Sequence, residues 1–366
     1  MKTHRVMVVA GEASGDALAG GVMAELGRQL PLDLVGLGGV HLMAAGLKSV
    51  GDVGQTSRMG TSELISGAFP LARVVYRLVQ VLRRQRPDLL LLVDYGGLNL
   101  PLAKLAHQLG IPVIYYIPPK VWAWGRWRLD LMARWVDRVL VMFPWELDIY
   151  ENARIPASYV GHPAVDVTHS QPDGLSQTVA LLPGSRHQEV DALWPKLVEA
   201  SLLLRRDHPH LHFEVARAPT IPRGMLERRA AGLPLAIWEG GAPALLGRSL
   251  LALATSGTVT LEAAVAGVPM VVVYRTSPLT WSLGRRWVRD LPGVALPNLL
   301  AGTRVVPELL QHFSAADISA QAEPLLADSE PRRLMLQGLA QAVQRLGPPG
   351  ATQRTALILR NFLEGR

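Results

Sequence analysis

Short apolar runs alternate with longer amphipathic segments through the first half of the chain. The runs are nearly continuous and rich in Val, Ile and Leu, which is typical of strands that a parallel sheet buries on both faces. The pattern predicts strands at Arg5–Ala10, Leu34–Gly36, Leu89–Asp94, Val113–Ile117, Val139–Met142 and Ser158–Val160. Between them it predicts helices, notably Ala17–Leu30, Pro70–Arg86, Leu100–Leu109 and Pro144–Asn152. Strand and helix alternating in this way indicate an α/β domain.

The polar stretch His169–Gln177 contains Pro172 and Gly174 and is predicted to be a linker. After it the alternation begins again. The predicted elements are strand Val179–Leu182, helix Val190–Asp207, strand His212–Ala216, helix Pro222–Ala231, strands Leu235–Trp238 and Leu250–Ala254, helix Val259–Ala266 and strand Pro269–Tyr274. The tail, Ala351–Leu363, is predicted to form a final helix.

Two such halves in tandem predict two doubly wound, Rossmann-like α/β domains that face a cleft. We expect one domain over residues 1–168, a second over residues 169–345 and a C-terminal helix within residues 346–366. Ligands of such folds bind at the carboxyl ends of the strands, so candidate site residues are sought there.

Composition supports a globular protein of roughly two domains, since the 366 residues are 49% hydrophobic and 18% charged. The absence of Cys excludes disulfides, thiol catalysis and thiolate metal sites. No secretory signal is recognised at the start, and no apolar run approaches the roughly 18 residues of a membrane span. We therefore expect a soluble or peripheral protein on the cytoplasmic side of the membrane.

The formal charge of +7 favours an anionic partner, either a phosphate-bearing ligand or an anionic membrane face. Nucleic acid is not expected, because the Arg residues are scattered among apolar ones and no zinc-finger or RNA-binding signature is present. Neither half contains a D-x-D or His-rich cluster, so we expect no metal and no cofactor.

The segment "VVAGEASGD", residues 8–16, places small residues where the first predicted strand meets a helix. A dinucleotide fingerprint would need G-x-G-x-x-G, and Glu12 would repel a pyrophosphate. In the structural interpretation, Gly11 and Gly15 only form the turn and Asp16 favours the helix N-terminus. For Glu12, at a strand end, we favour an acid–base role or acceptance of a substrate hydroxyl.

Two turns of the second half are suited to a diphosphate, because free backbone N–H groups at a helix N-terminus bind anions. One turn follows the first strand and holds Gly184, Ser185 and Arg186; the other opens a later helix and holds Ser256, Gly257 and Thr258. The alternatives are a glycine turn with an exposed Arg and an ordinary Ser/Thr cap.

Asp94 ends the buried run "LLLLVD", where a charge is costly unless it is paired or faces a cleft. His162, in "VGHPAVD", ends the last strand of the first half. Two roles explain it equally well: a hydrogen bond at the hinge between the domains, or a contact with a donor substrate.

These motifs resemble the lipid-A-disaccharide synthase family over nearly the whole chain. The resemblance is carried by "VVAGEASGD", "VGLGGVHLMAAGL", "RMGTSEL", "YYIPPKVWAW", "RVLVMFPWELDIYE", "YVGHPAVD", "LLPGSRHQEV", "ATSGTVTLEAAVAGVPMVVVYR", "LPNLLAG" and "VVPELLQ". It implies the two-domain GT-B glycosyltransferase architecture, with the C-terminal segment returning to the N-terminal domain. It also implies metal-free, inverting transfer from UDP-2,3-diacylglucosamine to 2,3-diacylglucosamine 1-phosphate (lipid X), giving a β-1,6 disaccharide.

The resemblance also assigns roles by position. It implies that Asp94 is a general base on the acceptor 6-hydroxyl, that Arg186 is needed for activity, and that Glu12 belongs to the catalytic set. The expected donor-binding residues are Gly184, Ser185, Arg186, Ser256, Gly257, Thr258, Glu262 and Asn298. The expected acceptor-side residues are Gly11, Glu12, Ser14, Asn99 and Lys120. Glu262 is assigned to the ribose hydroxyls, as in other nucleotide-sugar transferases; otherwise it is a surface residue. For Asn298 the alternative is a cap on its own turn.

Two departures from the family pattern fall on the acceptor side. The family reads D-x-P-D-F-N, and here the second Asp is Gly97; Lys120 replaces a small hydroxyl residue. Both changes make the acceptor side more positive, so an anionic acceptor is expected but with looser specificity. Trp122 and Trp124 are interpreted as packing, with acyl or sugar contact as the alternative.

The segments Leu71–Arg86 and Leu279–Arg289 mix Leu, Val and Arg in helical rhythm. Ordinary packing explains either one alone, but acylated substrates come from a bilayer, so we expect peripheral binding to the inner face of the plasma membrane. Two other functions remain open. The chain could be a related UDP-sugar transferase or epimerase with a different acceptor, or a non-catalytic nucleotide-sugar or lipid-binding relative.

Overall fold

A computed structural model describes residues 2–51, 68–121, 125–166, 176–230, 232–276, 281 and 291–365, with side chains from residue 72 in the second segment. The chain forms two compact units: unit 1 is Met1–Asp166 with Pro348–Arg366, and unit 2 is Val167–Gly347. Several predicted features lie outside the described residues: the motif "RMGTSEL", Trp122 and Trp124, most of the linker, and Leu279–Arg289 apart from residue 281.

Unit 1 contains seven strands and seven α-helices among its described residues. The strands are β1 His4–Ala10, β2 Leu32–Leu37, β3 Lys48–Ser49, β4 Leu89–Val93, β5 Val113–Tyr116, β6 Arg138–Val141 and β7 Ala157–Tyr159. The helices are α1 Ala13–Gln29, α2 Val40–Ala44, α3 Ala68–Gln80, α4 Gly96–Gln108, α5 Arg128–Trp135, α6 Pro144–Asn152 and the C-terminal α14 Ala351–Leu363. A π-helical turn, Val81–Gln85, continues α3, and a 3-10 turn covers Pro163–Asp166.

Unit 2 repeats the pattern with six strands and seven α-helices in its described part. The strands are β8 Thr178–Leu182, β9 His212–Ala216, β10 Leu235–Trp238, β11 Leu251–Thr255, β12 Met270–Tyr274 and β13 Glu308–Leu310. The helices are α7 His187–Asp207, α8 Arg223–Glu227, α9 Ala242–Leu246, α10 Thr258–Val265, α11 Leu296–Ala301, α12 Ala315–Ala322 and α13 Glu330–Gln344. A 3-10 turn covers Glu323–Leu325.

Both sheets are parallel throughout the described pairs. Their strand orders are β3-β2-β1-β4-β5-β6-β7 and β10-β9-β8-β11-β12-β13. In each sheet the order reverses beside the first strand, between β1 and β4 and between β8 and β11. Such a reversal is the switch point at which doubly wound folds bind ligands. The prediction of two doubly wound α/β sheets is confirmed.

Buried apolar strands form the core of each unit. Every residue of β1 from Val6 to Ala10 is fully buried, as is all of β4. In unit 2, Trp194 is fully buried, and its indole Nε1 donates to the Leu226 carbonyl at 3.0 Å. Complete burial explains why these strands read as continuous apolar runs rather than as alternating ones.

Eleven strands agree with the sequence prediction within two residues, β3 and β13 were not predicted, and several helix limits differ. Helix α4 begins at Gly96 rather than at Leu100, because the Tyr95 carbonyl already accepts from the N–H groups of Leu98 and Asn99. The predicted helix Pro222–Ala231 is the five-residue α8.

The C-terminal helix packs against α1, as expected for a segment that returns to the first domain. Asp166 fixes its start, because the carboxylate accepts from the backbone N–H groups of Gly350 at 2.6 Å and of Ala351 and Thr352 at 3.2 Å. A carboxylate at a helix N-terminus satisfies donors that have no intrahelical partner. The last helix is therefore part of unit 1.

Candidate active site

The switch point of unit 1 brings the predicted acceptor-side carboxylates close together. Ala10 and Val93 are register partners in adjacent strands. The next residues, Gly11 and Asp94, therefore leave the sheet side by side, followed by Glu12 on one strand. Ser14 lies one residue into α1. Glu12 and Asp94 are both partly exposed.

Tyr95 lies between these two strand ends and was not identified from the sequence. A Cβ atom on Gly11 would lie 2.7 Å from Cγ and Cδ1 of the Tyr95 ring, so only glycine leaves room for it. Burial raises the pKa of Tyr95, and the charge of Glu12 raises it further. The tyrosine ring therefore links the Gly11–Glu12 turn to the Asp94 turn.

Asp94 and Tyr95 both have left-handed backbone conformations, with φ of 49° and 45°. The Tyr95 N–H donates to Asp94 Oδ1 at 2.8 Å, which fixes the carboxylate locally. Left-handed conformations of residues other than glycine cost roughly 1–2 kcal/mol each. Consecutive residues of this kind mark a place where the surroundings impose the backbone.

Asn99 lies beneath this turn and is fully buried. Its Nδ2 group donates to the carbonyl of Val93 at 3.2 Å and to that of Asp94 at 2.6 Å. The acceptor contact expected of Asn99 stays a prediction, and the contacts present are internal. Lys120 is exposed beyond β5, and a Cβ on Gly97 would meet no atom within 4 Å.

Asp16, in the same motif as Glu12, has a structural role in unit 1. It is 2% exposed and accepts from the backbone N–H groups of Gly39 at 2.7 Å, His41 at 3.0 Å and Leu42 at 3.1 Å. Its carboxylate thus satisfies the start of α2 rather than that of its own helix. The glycine loop after β2 is held to α1 by these three bonds.

His162 is buried within unit 1. Its Nδ1 atom accepts from the Ala164 N–H at 3.1 Å, and its ring centroid lies 5.9 Å from that of Phe143. Burial, helped by the charge of Lys120 and opposed by that of Asp166, lowers the pKa of His162 to about 4. The imidazole is therefore neutral near pH 7 and accepts a hydrogen bond within the 3-10 turn. A contact of His162 with the sugar-donor substrate stays a prediction.

The switch point of unit 2 brings the two predicted phosphate turns together. Leu182 and Ala254 are register partners, so the turns after β8 and β11 are neighbours. Gly184 has φ of 108°, and a Cβ there would lie 3.1 Å from Thr255 Cγ2. The Thr255 hydroxyl is buried without a hydrogen-bond partner among the described residues.

Arg186 supplies a cation at the start of α7. Its Nη1 lies 3.1 Å from Glu189 Oε1, and the Arg side chain is 53% exposed. Burial raises the pKa of Tyr274, at the end of β12; Glu189 raises it further and Arg186 opposes the shift. The guanidinium is thus held near the strand ends, in an ion pair that water partly screens.

The second turn of unit 2 opens α10. Ser256 Oγ donates to the Val294 carbonyl at 3.2 Å, and Thr260 Oγ1 donates to the Gly257 carbonyl at 2.8 Å. A Cβ on Gly257 would meet no atom within 4 Å, so the helix N-terminus at Thr258 is approachable. This geometry suits an anion, whose oxygens accept from free N–H groups.

Glu262 lies one turn further along α10. Burial raises the pKa of this carboxyl. Among the described residues its side chain has no hydrogen-bond partner. A partly buried carboxylate without an internal partner is suited to accept hydrogen bonds from a ligand's hydroxyl groups.

Asn298 is fully buried, and its side chain holds the loop that follows α11. Oδ1 accepts from the N–H groups of Val305 at 2.7 Å and Val306 at 2.9 Å. Nδ2 donates to the Val306 carbonyl at 3.0 Å and to Glu308 Oε1 at 2.6 Å. The donor contact implied by the family stays a prediction; the contacts present are structural.

Glu308 is the residue of this region that sequence reasoning missed. It is 8% exposed, and its carboxylate also accepts from the N–H groups of Val294 at 2.9 Å and Ala295 at 2.8 Å. The Val294 carbonyl in turn accepts from Ser256. The motif "VVPELLQ" contains this glutamate, but its partners are 10 to 14 residues away. Nothing in the local pattern reveals them.

Within the described ranges, no group of three His, Cys, Asp or Glu side chains is arranged to hold a metal ion; the expected metal independence stays a prediction. None of the helices in the described ranges has the length and apolar character to span a bilayer.

Comparison with solved structures supports the fold. The chain aligns with the structure titled S. aureus MnaA-UDP co-structure at a TM-score of 0.64 and 14% identity, covering 99% of this chain and 97% of that one. It aligns with the calicheamicin glycosyltransferase CalG4 at a TM-score of 0.60 and 15% identity, covering 100% and 99%. Acinetobacter baumannii MurG gives a TM-score of 0.56 at 15% identity, covering 98% and 100%. At these identities the likeness concerns the GT-B fold alone.

Sequence comparison defines the family. A family model described as lipid-A-disaccharide synthetase matches residues 6–362. The lipid-A-disaccharide synthase of Myxococcus xanthus is 41% identical over 368 residues, covering 96% of each chain. That of Geobacter sulfurreducens is 36% identical over 376 residues, covering 99% of this chain and 98% of the relative. This protein therefore belongs to the lipid-A-disaccharide synthase family.

Proposed function

We propose that this protein is an inverting hexosyltransferase that joins UDP-2,3-diacylglucosamine to lipid X, giving a β-1,6-linked lipid A disaccharide and UDP. The observation that carries the proposal is the matched placement of chemistry at the two switch points. Unit 1 places two carboxylates there, and unit 2 places two helix N-termini and an arginine. Membership of the family, reported above, supports the same reaction.

Unit 2 is the proposed UDP-sugar domain, predicted from the sequence over residues 169–345. Its N–H groups at the starts of α7 and α10 would bind the diphosphate, and Arg186 would neutralise the charge that develops on the departing UDP. Glu262 would accept from the ribose hydroxyls. The open space at Gly257 leaves the N–H donors at the start of α10 approachable, which supports the assignment.

Unit 1 is the proposed acceptor domain. Asp94 would take the proton from the acceptor 6-hydroxyl as that oxygen attacks C1 of the donor sugar. The bond from C1 to the UDP oxygen breaks on the opposite side, which inverts the anomeric carbon. Glu12 would accept a hydrogen bond from an acceptor hydroxyl.

We also propose that unit 1 docks on an anionic membrane, as a cytoplasmic protein peripheral to the inner face of the plasma membrane. Arg73, Tyr76 and Arg77 share the exposed side of α3, and Tyr76 is 61% exposed. Val40 and Met43 on α2 are also exposed. Arg and aromatic side chains together suit an anionic lipid interface.

Mass spectrometry of purified protein incubated with UDP-2,3-diacylglucosamine and lipid X tests the reaction. We expect a disaccharide 1-phosphate and UDP in equal amounts. Incubation with UDP-N-acetylglucosamine alone is the control, and epimerised sugar in that sample would favour an epimerase instead. Binding of UDP without any turnover would favour a non-catalytic relative.

Metal independence is tested in the same assay. Activity should be unchanged in EDTA, because Arg186 and two helix N-termini neutralise the diphosphate without a cation. Loss of activity that Mg²⁺ or Mn²⁺ restores would overturn this part of the proposal.

A further inference from the structure

The backbone at Asp94 needs an external support. Asp94 and Tyr95 are consecutive left-handed residues at the end of β4, and neither is glycine. Such a conformation persists only where neighbouring groups fix it, and it is common at sites where geometry serves function. The groups that contact the Asp94 main chain therefore decide where its carboxylate points.

Two buried side chains donate to the same carbonyl oxygen. Tyr115 Oη donates to the Asp94 carbonyl at 2.7 Å, and Asn99 Nδ2 donates to it at 2.6 Å. Both side chains are completely buried. Burial raises the pKa of Tyr115 well above its usual range, and the charge of Asp94 raises it further. The phenol thus remains protonated and remains a donor.

The two donors come from different elements that pack on the same side of the sheet. Tyr115 belongs to β5 and is the register partner of Leu92 in β4, whereas Asn99 belongs to α4. Tyr116, the next residue of β5, points to the other face because side chains alternate along a strand. Its hydroxyl lies near Thr355 of α14.

We propose that Tyr115 is a positioning residue for the reaction, and that with Asn99 it holds the Asp94 main chain in its left-handed conformation. This inference rests on the proposed role of Asp94 as the base. Two buried donors hold the carbonyl, so the main chain from which the Asp94 side chain extends keeps one conformation. Neither Tyr115 nor Asn99 needs to touch the substrate for this purpose.

The primary test compares Tyr115→Phe with Tyr116→Phe. Each variant removes one hydroxyl from a fully buried tyrosine of the same strand, and only the first loses a bond to Asp94. We expect kcat of Tyr115→Phe to fall about 10- to 100-fold, the scale of a small misplacement of a reacting group. The KM values for both substrates should change less than about threefold, as expected for an effect on orientation rather than binding. Tyr116→Phe should keep kcat within about twofold, since its effect is on packing alone.

Both proteins are assayed at a temperature where circular dichroism shows them folded. Equal kcat values for Tyr115→Phe and Tyr116→Phe would overturn the proposal. A parallel rise in KM for the acceptor would also overturn it, because it would make Tyr115 a binding residue.

A second measurement tests the held conformation without using activity. Asp94→Gly and Asp94→Ala both remove the carboxylate, but only glycine adopts the left-handed conformation freely. We expect Asp94→Gly to melt about 2–4 °C above Asp94→Ala, the shift that about 1 kcal/mol gives in a unit of this size. Equal melting temperatures would show that the backbone is not held.

Asp94→Asn separates this inference from the proposed function. If Asp94→Asn retains full activity, the base assignment fails. If Asp94→Asn is inactive while Tyr115→Phe behaves like Tyr116→Phe, only the positioning role fails.

Discussion

Asn99 and Asn298 lie near the starts of helices α4 and α11, in two different units, and are used in different ways. Both were expected at ligand sites, and both are fully buried. Asn99 donates to two carbonyls at the end of one strand. Asn298 accepts from two backbone N–H groups through Oδ1, and it donates through Nδ2 to a backbone carbonyl and to the buried carboxylate of Glu308. An asparagine in a family motif therefore indicates a fixed turn as readily as a ligand contact.

The two units also differ in the charge of the groups that hold their site turns. In unit 1 the Asp94 turn is held by neutral donors, Tyr115 and Asn99. In unit 2 the turn at Ser256 is connected through Val294 to the carboxylate of Glu308. A neutral donor can be deleted with modest loss, whereas a buried carboxylate that loses its charge leaves several donors poorly satisfied. The predictions below test this difference.

The largest effect is expected for Asp94→Asn. The amide fills the same space but accepts no proton, so transfer should fall by about 10²- to 10⁴-fold, the usual contribution of a general base. UDP affinity, measured by calorimetry, should stay within about twofold of wild type. A collapse of UDP affinity would instead make Asp94 a structural residue or a donor ligand.

Arg186→Ala should have the next largest effect, through the departing UDP. Removal of one fixed group that stabilises developing charge costs about 10²- to 10³-fold in rate. Arg248→Ala is a matched control, because that arginine is paired with a glutamate on the same unit but away from the two phosphate turns. A rate for Arg186→Ala within a few-fold of wild type would contradict the assignment.

Much of this fold is encoded in local sequence pattern. Strands His212–Ala216 and Leu235–Trp238 were predicted at their observed limits although they are only partly buried. The fully buried β4 was recognisable because a buried parallel strand is a short apolar run. The turns after β1 and β8 were recognisable as candidate sites because small and charged residues directly follow such runs. Strand order then brought them to the switch points.

The supporting residues could not be found in that way. Tyr115 reads as one more apolar position in a strand, and its hydroxyl bond depends on the neighbouring strand and on a left-handed turn. Asn298 and Glu308 meet across a loop whose course the sequence does not reveal. A pattern shows which element a residue belongs to, whereas these roles depend on contacts between elements.

Glu308→Gln tests whether the negative charge of Glu308 stabilises the loops of the proposed UDP-sugar domain that it contacts. The amide has the shape of the carboxylate, but its NH₂ group would face N–H groups of Val294 and Ala295 or the amide of Asn298. Such a mismatch should lower the free energy of unfolding by about 1–3 kcal/mol. It should raise KM for the UDP-sugar several-fold with little change in acceptor KM.

Glu323→Gln, in an exposed contact with His208, is the control for the same chemical change at the surface. Thermal unfolding and initial rates for both variants complete the test. Equal stability of the two variants would show that Glu308 is not a support.

The smallest effect is expected for Lys120 and Gly97, which the resemblance marks as departures from the family pattern. Lys120 is exposed, so its attraction for an anionic acceptor is screened by water and salt. It lies close enough to His162 for its charge to lower the pKa of that imidazole, which places it near the strand ends of unit 1. Lys120→Ser should therefore raise KM for lipid X about two- to fivefold at low salt, and it should change KM for dephosphorylated lipid X little.

Gly97→Asp should fold normally, because a side chain there meets open space, and it should raise KM for lipid X by a similar factor. A panel of lipid X, its dephosphorylated form and glucosamine 1-phosphate, assayed at low and high salt, measures both changes. Equal use of lipid X and its dephosphorylated form by wild type, or a Lys120→Ser effect that high salt leaves intact, would contradict the electrostatic explanation.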